Sequence, residues 1–339
     1  MIVSIEDLAD GAADAPALDP DGAPRDPLVA VDLSGGGSPA LLERAARAAL
    51  GSDRLLVGLG DADPVLARAL DVTLATADAG PESVTVADPG ERLEAIGRAV
   101  TANPRAALVL REVLRAVEHL PVPAALDVES YAYSTLLGGA EFARWLAARG
   151  PRPLPPETAD PVLVDRAGDV LHVTLNRPDR RNAYGRQVRD TLVDALRVAL
   201  LDDGIARVVL DGAGPAFCSG GDLDEFGTAP DLATAHHVRT RAGAGRPLHR
   251  LAARVEVRVH GACVGAGVEL PAFAGRVVAR PDAAFRLPEV AMGLIPGAGG
   301  TVSVPRRIGR HRTLYLALTG ETLDARTARA WGLVDEISG

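Results

Sequence analysis

Residues 261–270 read Gly-Ala-Cys-Val-Gly-Ala-Gly-Val-Glu-Leu. Just before them, Val255 to Val259 alternates apolar residues with Glu256 and Arg258, the pattern of a strand with one buried face. The stretch therefore predicts a strand that runs into a Gly-rich turn at 265–267, which then opens a short helix. Strand, small-residue turn and helix together make one unit of an α/β fold. Outward from this unit the rhythm repeats. Val170 to Leu175 reads as a strand, Val188, Leu192, Leu196 and Leu200 fall on one helical face, and Val208 to Leu210 reads as a buried strand.

The same stretch carries chemistry. Small residues at 219–221 and 265–267 let backbone approach a ligand closely. Two such turns, each presenting a backbone N–H, suit a developing oxyanion. The second opens a helix, whose dipole adds to the pull. Glu269 lies in the first turn of that helix, and Glu289 follows on the next strand–turn crossing. Two carboxylates converging on one apolar pocket repel, so one tends to keep a proton. An acid beside a base is what adding or removing water across a double bond requires.

Four motifs occur in order: Asn176-Arg177-Pro178 with Asn182-Ala183; Ala216 through Leu223; Gly261 through Leu270; and Leu287-Pro288-Glu289 followed by Gly293 through Thr301. On these, residues 162–337 resemble the enoyl-CoA hydratase/isomerase (crotonase) family. The resemblance implies an α/β fold built as a spiral of ββα turns. It implies that the N–H groups of Gly221 and Ala266 bind the thioester oxygen, that Glu269 helps activate water, and that Glu289 delivers the proton to C2. It also implies contacts to substrate and CoA from Phe217, Ser219, Gly220, Asp222, Leu223, Arg180 and Gly297, with Arg177 and Arg181 as further phosphate partners. The implied reaction is hydration of a 2-enoyl-CoA to a 3-hydroxyacyl-CoA in fatty acyl-CoA metabolism, with no cofactor beyond the CoA of the substrate. The alternatives are an isomerase, a carbon–carbon cleaving relative, and a non-catalytic CoA-binding partner subunit. A homo-oligomer of the trimer type, or a partner subunit of the same family, is implied as the assembly.

Several positions depart from the pattern. Ala266 stands for a more usual Gly, Pro271 follows the Glu-Leu pair, Gly275 stands where Asp is common, and Arg286 where a small residue is usual. The closing helices that the family places last are expected at the front instead. Leu93 to Leu114 resembles the first of them, and Leu126 to Glu141-Phe142, with Trp145 to Pro151, resembles the closing stretch. The N-terminal half thus resembles either a permuted segment that carries the helical cap or a decayed first copy.

The domain reading follows. Residues 1–27 hold seven acids and one Arg among Ala, Gly and Pro, and are expected to be disordered or loosely attached. Residues 28–150 form an N-terminal α/β and helical domain, with strands at 28–33, 55–58 and 83–86. Residues 151–161, which hold Pro151, Pro153, Pro155, Pro156 and Pro161, form a stiff linker. Residues 162–339 form the catalytic core.

Composition narrows the function further. A net charge of −9 disfavours nonspecific binding to nucleic acid or anionic membrane. No run approaches the length of a membrane span and no basic leader opens the chain, so a cytoplasmic location is expected. All 36 basic residues are arginine, which removes lysine Schiff-base chemistry and a phosphate-loop lysine. Cys218 and Cys263 read as packing residues. His236-His237 reads as a solvated pair rather than a metal site, because adjacent residues do not share a helix face.

Overall fold

The computed structural model describes residues 1–78 and 80–338. The front of the chain runs β1 (Ile2–Val3), α1 (Ile5–Ala9), β2 (Leu28–Asp32), α2 (Pro39–Gly51), β3 (Leu55–Leu59), α3 (Pro64–Ala69), β4 (Val72–Ala75) and β5 (Ser83–Thr85). The five strands form one sheet in sequence order, every neighbouring pair parallel. Such a sheet must be covered on both faces. Leu56, Val29 and Val31 meet Leu8, Ala45 and Leu66 on one side. Leu55, Val57 and Leu74 meet Ile96, Val100 and Leu110 on the other.

Residues 1–27 differ from the expectation of disorder. Ser4 and Asp7 form a capping box at the start of α1, and Ile5 and Leu8 are buried. Arg54, itself buried, donates to the carbonyls of Ala13, Ala15, Pro16 and Asp26, which organises the acidic segment around one guanidinium. The sequence reading also missed β4, a four-residue strand directly after Asp71.

Four helices follow: α4 (Pro89–Ala102), α5 (Pro104–Val117), α6 (Val122–Leu137) and α7 (Ala140–Arg149). Proline at the first position opens α4 and α5, where its missing N–H costs nothing. Residues 150–161 have no regular element.

The remainder runs β6 (Val162–Ala167), β7 (Val170–Leu175), α8 (Arg186–Leu201), β8 (Arg207–Gly212), α9 (Leu232–Ala242), α10 (Gly245–Leu251), β9 (Val255–Val259), β10 (Ala262–Val264) and α11 (Ala266–Glu269). It continues with β11 (Arg276–Ala279), β12 (Ala284–Arg286), α12 (Gly300–Ser303), α13 (Pro305–Thr319), β13 (Leu323–Asp324), α14 (Ala325–Trp331) and β14 (Glu336–Ile337). A six-stranded sheet has the order β14-β11-β9-β8-β7-β6, with only the β6–β7 pair antiparallel. A three-stranded sheet, β10-β12-β13, forms a second layer. Pro271 is tolerated because α11 ends at Glu269 and the proline opens a separate 3-10 turn, Pro271–Phe273.

The halves are packed together rather than tethered. Helix α13 touches α4, α5, β4 and β5. At this seam Asp71, with no exposed surface, accepts from the backbone N–H of Leu56 (2.9 Å), Arg111 Nε (3.1 Å) and Arg115 Nε (2.8 Å). Arg310 of α13 lies 3.9 Å from the same carboxylate.

Candidate active site

The turn between β10 and α11 sets the geometry. Gly265 has φ of 49°, a left-handed angle that favours glycine. A Cβ there would lie 2.5 Å from Glu289 Oε1 and 3.8 Å from Glu269 Oε1. Both carboxylates therefore face this one turn, and only a residue without a side chain leaves room for them. Ala266 is the first residue of α11, so its N–H has no partner within the helix. Gly221 precedes Asp222 in the neighbouring loop, which is bridged to Tyr184. Among the described residues, neither N–H donates to a backbone acceptor.

Glu269 is buried, and its Oε2 accepts from the N–H groups of Ala298 (2.7 Å) and Gly300 (2.8 Å). Burial raises its pKa to about 7, against the pull of those two donors. Glu289 follows Pro288 at the start of a 3-10 turn. It is also buried, and among the described residues its Oε2 has no hydrogen-bond partner. Burial first, and the charge of Glu269 second, hold this carboxyl well above the usual range. With two N–H donors on one oxygen, Glu269 is the carboxyl better placed to carry the charge, and burial favours the proton on Glu289.

A third glutamate, which the sequence reading quoted only as part of a helical likeness, completes the cluster. Glu129 of α6 is buried and accepts from the N–H groups of Gly299 (2.8 Å) and Thr301 (2.9 Å) and from Thr301 Oγ1 (2.8 Å). Glu269 and Glu129 therefore take alternate donors along residues 298–301, one carboxylate from each half of the chain. Burial, then the charge of Glu269, raises the pKa of Glu129 to about 8. The available signal was an acid among apolar residues of a helix, too common to single out.

These groups border a cavity of about 700 Å³. Gly221, Ala266, Glu269, Glu289, Ser219, Asp222, Leu223 and Gly297 line it from the core. Leu126, Glu129, Ser130, Tyr133, Leu137, Trp145 and Arg149 line it from α6 and α7. Trp145 and Phe142 of α7 pack against Phe226, which holds this wall in place. A second hollow, of about 660 Å³, crosses the outer face of the six-stranded sheet. There Arg258 and Arg276 are paired with Glu256 and Glu336.

The other sequence candidates lie as follows. Phe217 is core, 1% exposed, rather than cavity lining. Gly220, at φ of 97°, backs onto the carbonyl of Val264. Arg180 is held by Asp222 (2.6 Å) and Asp224 (2.8 Å), which neutralise its charge and engage Nε and Nη2. Arg177 is buried beneath the same loop, 3.9 Å from Asp222. Arg181 is exposed. Arg286 points outward, donating to the carbonyl of Gly320, and does not narrow the cavity. Burial pushes the Cys218 thiol up to about 12, which leaves it inert as a nucleophile. His236 differs from the expectation of a solvated residue: it is buried, bonded to Ser130 Oγ (3.0 Å) and stacked on Tyr131. Among the described residues no group of side chains could hold a metal ion, and no helix is long and apolar enough to cross a membrane.

Comparison with known proteins bears on the same segment. The family model for enoyl-CoA hydratase/isomerase matches residues 165–339. The chain is similar to the 2,3-dehydroadipyl-CoA hydratase of Escherichia coli (strain K12), 35% identical over 176 residues, covering 52% of this chain and 68% of that protein. It is similar to the 1,2-epoxyphenylacetyl-CoA isomerase of the same organism, 37% identical over 173 residues, covering 50% of this chain and 66% of that protein. Among solved structures, an enoyl-CoA hydratase from Thermoplasma volcanium GSS1 is 32% identical, with a TM-score of 0.49 over 52% of this chain and 71% of that one.

Proposed function

The chain belongs to the enoyl-CoA hydratase/isomerase family, and from that premise we propose that it hydrates a 2-enoyl-CoA to a 3-hydroxyacyl-CoA. The thioester oxygen accepts from the N–H groups of Gly221 and Ala266. These donors strengthen as the oxygen gains charge in the enolate, which is the source of rate enhancement. Glu269, the anion held by two backbone donors, takes the proton of a water as its oxygen bonds to C3. Glu289 gives its proton to C2. The two carboxyls end with one proton between them, as they began. CoA enters as part of the substrate, and the chemistry calls for no other cofactor.

The observation that carries this reading is the unequal pair: Glu269 with two donors on one oxygen, and Glu289 with an oxygen that has no partner. A subunit that only binds CoA gains nothing from burying both acids, which costs stability. A homo-oligomeric, cytoplasmic enzyme fits the reading. The test is loss of the conjugated thioester absorbance of crotonyl-CoA and longer 2-enoyl-CoAs. Hydration predicts loss that scales with enzyme; no loss at high enzyme for any chain length overturns it.

A further inference from the structure

Arg239 of α9 lines the same cavity, and the mechanism above does not use it. Its guanidinium lies 4.6 Å from the centre of the Tyr133 ring. Nε donates to Ser130 Oγ (3.1 Å), and Nη2 donates to the Ser130 carbonyl (3.3 Å) and to Ser134 Oγ. These bonds engage Nε and Nη2. Among the described residues Nη1 makes no hydrogen bond, and no carboxylate lies within ion-pair distance of the group. The neighbouring cavity arginines are placed otherwise: Arg149 is paired with Asp224 and Arg246 with Asp127.

Tyr133 adds a second free donor. Its ring packs against Gly297, the neighbour of Ala298, whose N–H holds Glu269. Its hydroxyl makes no hydrogen bond among the described residues, and burial pushes its pKa up, so it stays a donor. Contacts thus link Glu269, residues 297–298, Tyr133 and Arg239 along one wall of the cavity. An acyl chain with its thioester on the N–H pair and its far end along this wall would meet these two donors. Arg239 is half-buried in the cavity wall, and a cation there without a counter-ion is suited to an anionic ligand group.

We propose that Arg239 and the Tyr133 hydroxyl form a subsite for the far end of the acyl chain, and that this end carries a carboxylate. The substrate class is an ω-carboxy 2-enoyl-CoA. This rests on the hydratase reading for the reaction but not for the binding. In the competing arrangement Arg239 only ties α9 to α6 through the two serines, and the acyl end is apolar.

The test uses the full chain and saturated ligands, so that binding is measured without turnover. Calorimetry compares succinyl-, adipyl- and suberyl-CoA with butyryl-, hexanoyl- and octanoyl-CoA. The subsite predicts that at least one carboxylate-ended ligand binds about 10-fold or more tighter than its methyl-ended counterpart, as a charge-assisted bond to an otherwise unpaired donor allows. Arg239→Gln should erase that ratio, and Tyr133→Phe should reduce it. If Arg239→Gln does not fold, Tyr133→Phe and Arg239→Lys carry the test. No preference at any length, or a ratio unchanged in the variants, overturns the subsite. The kcat/KM ratio of 2-hexenedioyl-CoA to 2-hexenoyl-CoA should follow the binding ratio. A binding preference without any hydration would sink the proposed reaction and leave the subsite standing.

Discussion

Asp71 in the N-terminal half and Glu269 in the core are both buried carboxylates, and their surroundings are opposite. Asp71 is met by Arg111 and Arg115, with Arg310 at 3.9 Å and a backbone N–H besides. Glu269, Glu289 and Glu129 have no arginine within ion-pair distance among the described residues, although the chain is rich in arginine. The first arrangement neutralises a charge and joins two layers. The second crowds three acids without a cation, and burial raises the pKa of each. Both sheets place parallel strands in sequence order. What separates them is the second small sheet and the turn it supports at Gly265, which the N-terminal half lacks.

Four experiments bear on this contrast. The largest effect is expected for Glu289→Gln. Loss of the acid should lower kcat by about a thousandfold, within the range of a general acid, while binding of a saturated acyl-CoA changes little. If binding and fold are lost as well, Glu289 is structural and the contrast fails. Glu129→Ala should lower kcat by about a hundredfold with KM nearly unchanged, because residues 298–301 lose one of their two carboxylates and Glu269 shifts. An unaltered kcat would mean that the front half only covers the site.

Asp71→Ala should lower stability by about 3–5 kcal/mol, since it leaves buried arginines without their partner. The readout is denaturant unfolding, and kcat measured where the variant remains folded should match the parent. A loss of activity without a loss of stability would blur the distinction between the two acids. The smallest effect concerns pH. Burial raises the pKa of Glu269 to about 7 and of Glu129 to about 8, from 4.5 in an unfolded chain. The folded state therefore holds more protons across this interval, and its stability falls as pH rises through it. The melting temperature should decline from about pH 5 to about pH 8, and Glu289→Gln should flatten the decline. A melting temperature that rises over this interval would show that the acids are not held protonated.

The core was legible because its signals are local and repeated. A Gly-rich turn, a strand before it and an acid after it lie within a few residues of one another, with two further motifs ahead of them and one behind. The helical stretch from 90 to 149 was also legible in outline, as the likeness of Leu93 to Leu114 and of Leu126 to Phe142 to helical segments. Glu129 was not, because its meaning depends on donors 170 and 172 residues away, which no local pattern reveals. The pairing of the arginines was hidden for the same reason. Arg180 looks available in sequence but is occupied by Asp222, and the unpaired Arg239 is one of many arginines in a helix. Residues 1–27 were misread because composition outweighed a signal that was present. Ser4 and Asp7 at capping-box spacing, with Ile5 and Leu8 on one helix face, mark an ordered segment.

The placement of α6 ahead of the core has a consequence for how the chain is made. Glu129 leaves the ribosome before Thr301, its partner 172 residues later. At about 5–20 residues per second, the wait is roughly ten to thirty seconds. During that time the apolar wall of α6 and α7 has nothing to cover, and Phe142 and Trp145 await Phe226. The nascent chain must either hold these helices on the N-terminal sheet or shield them with a chaperone. The cell therefore builds this active site from its lid downward.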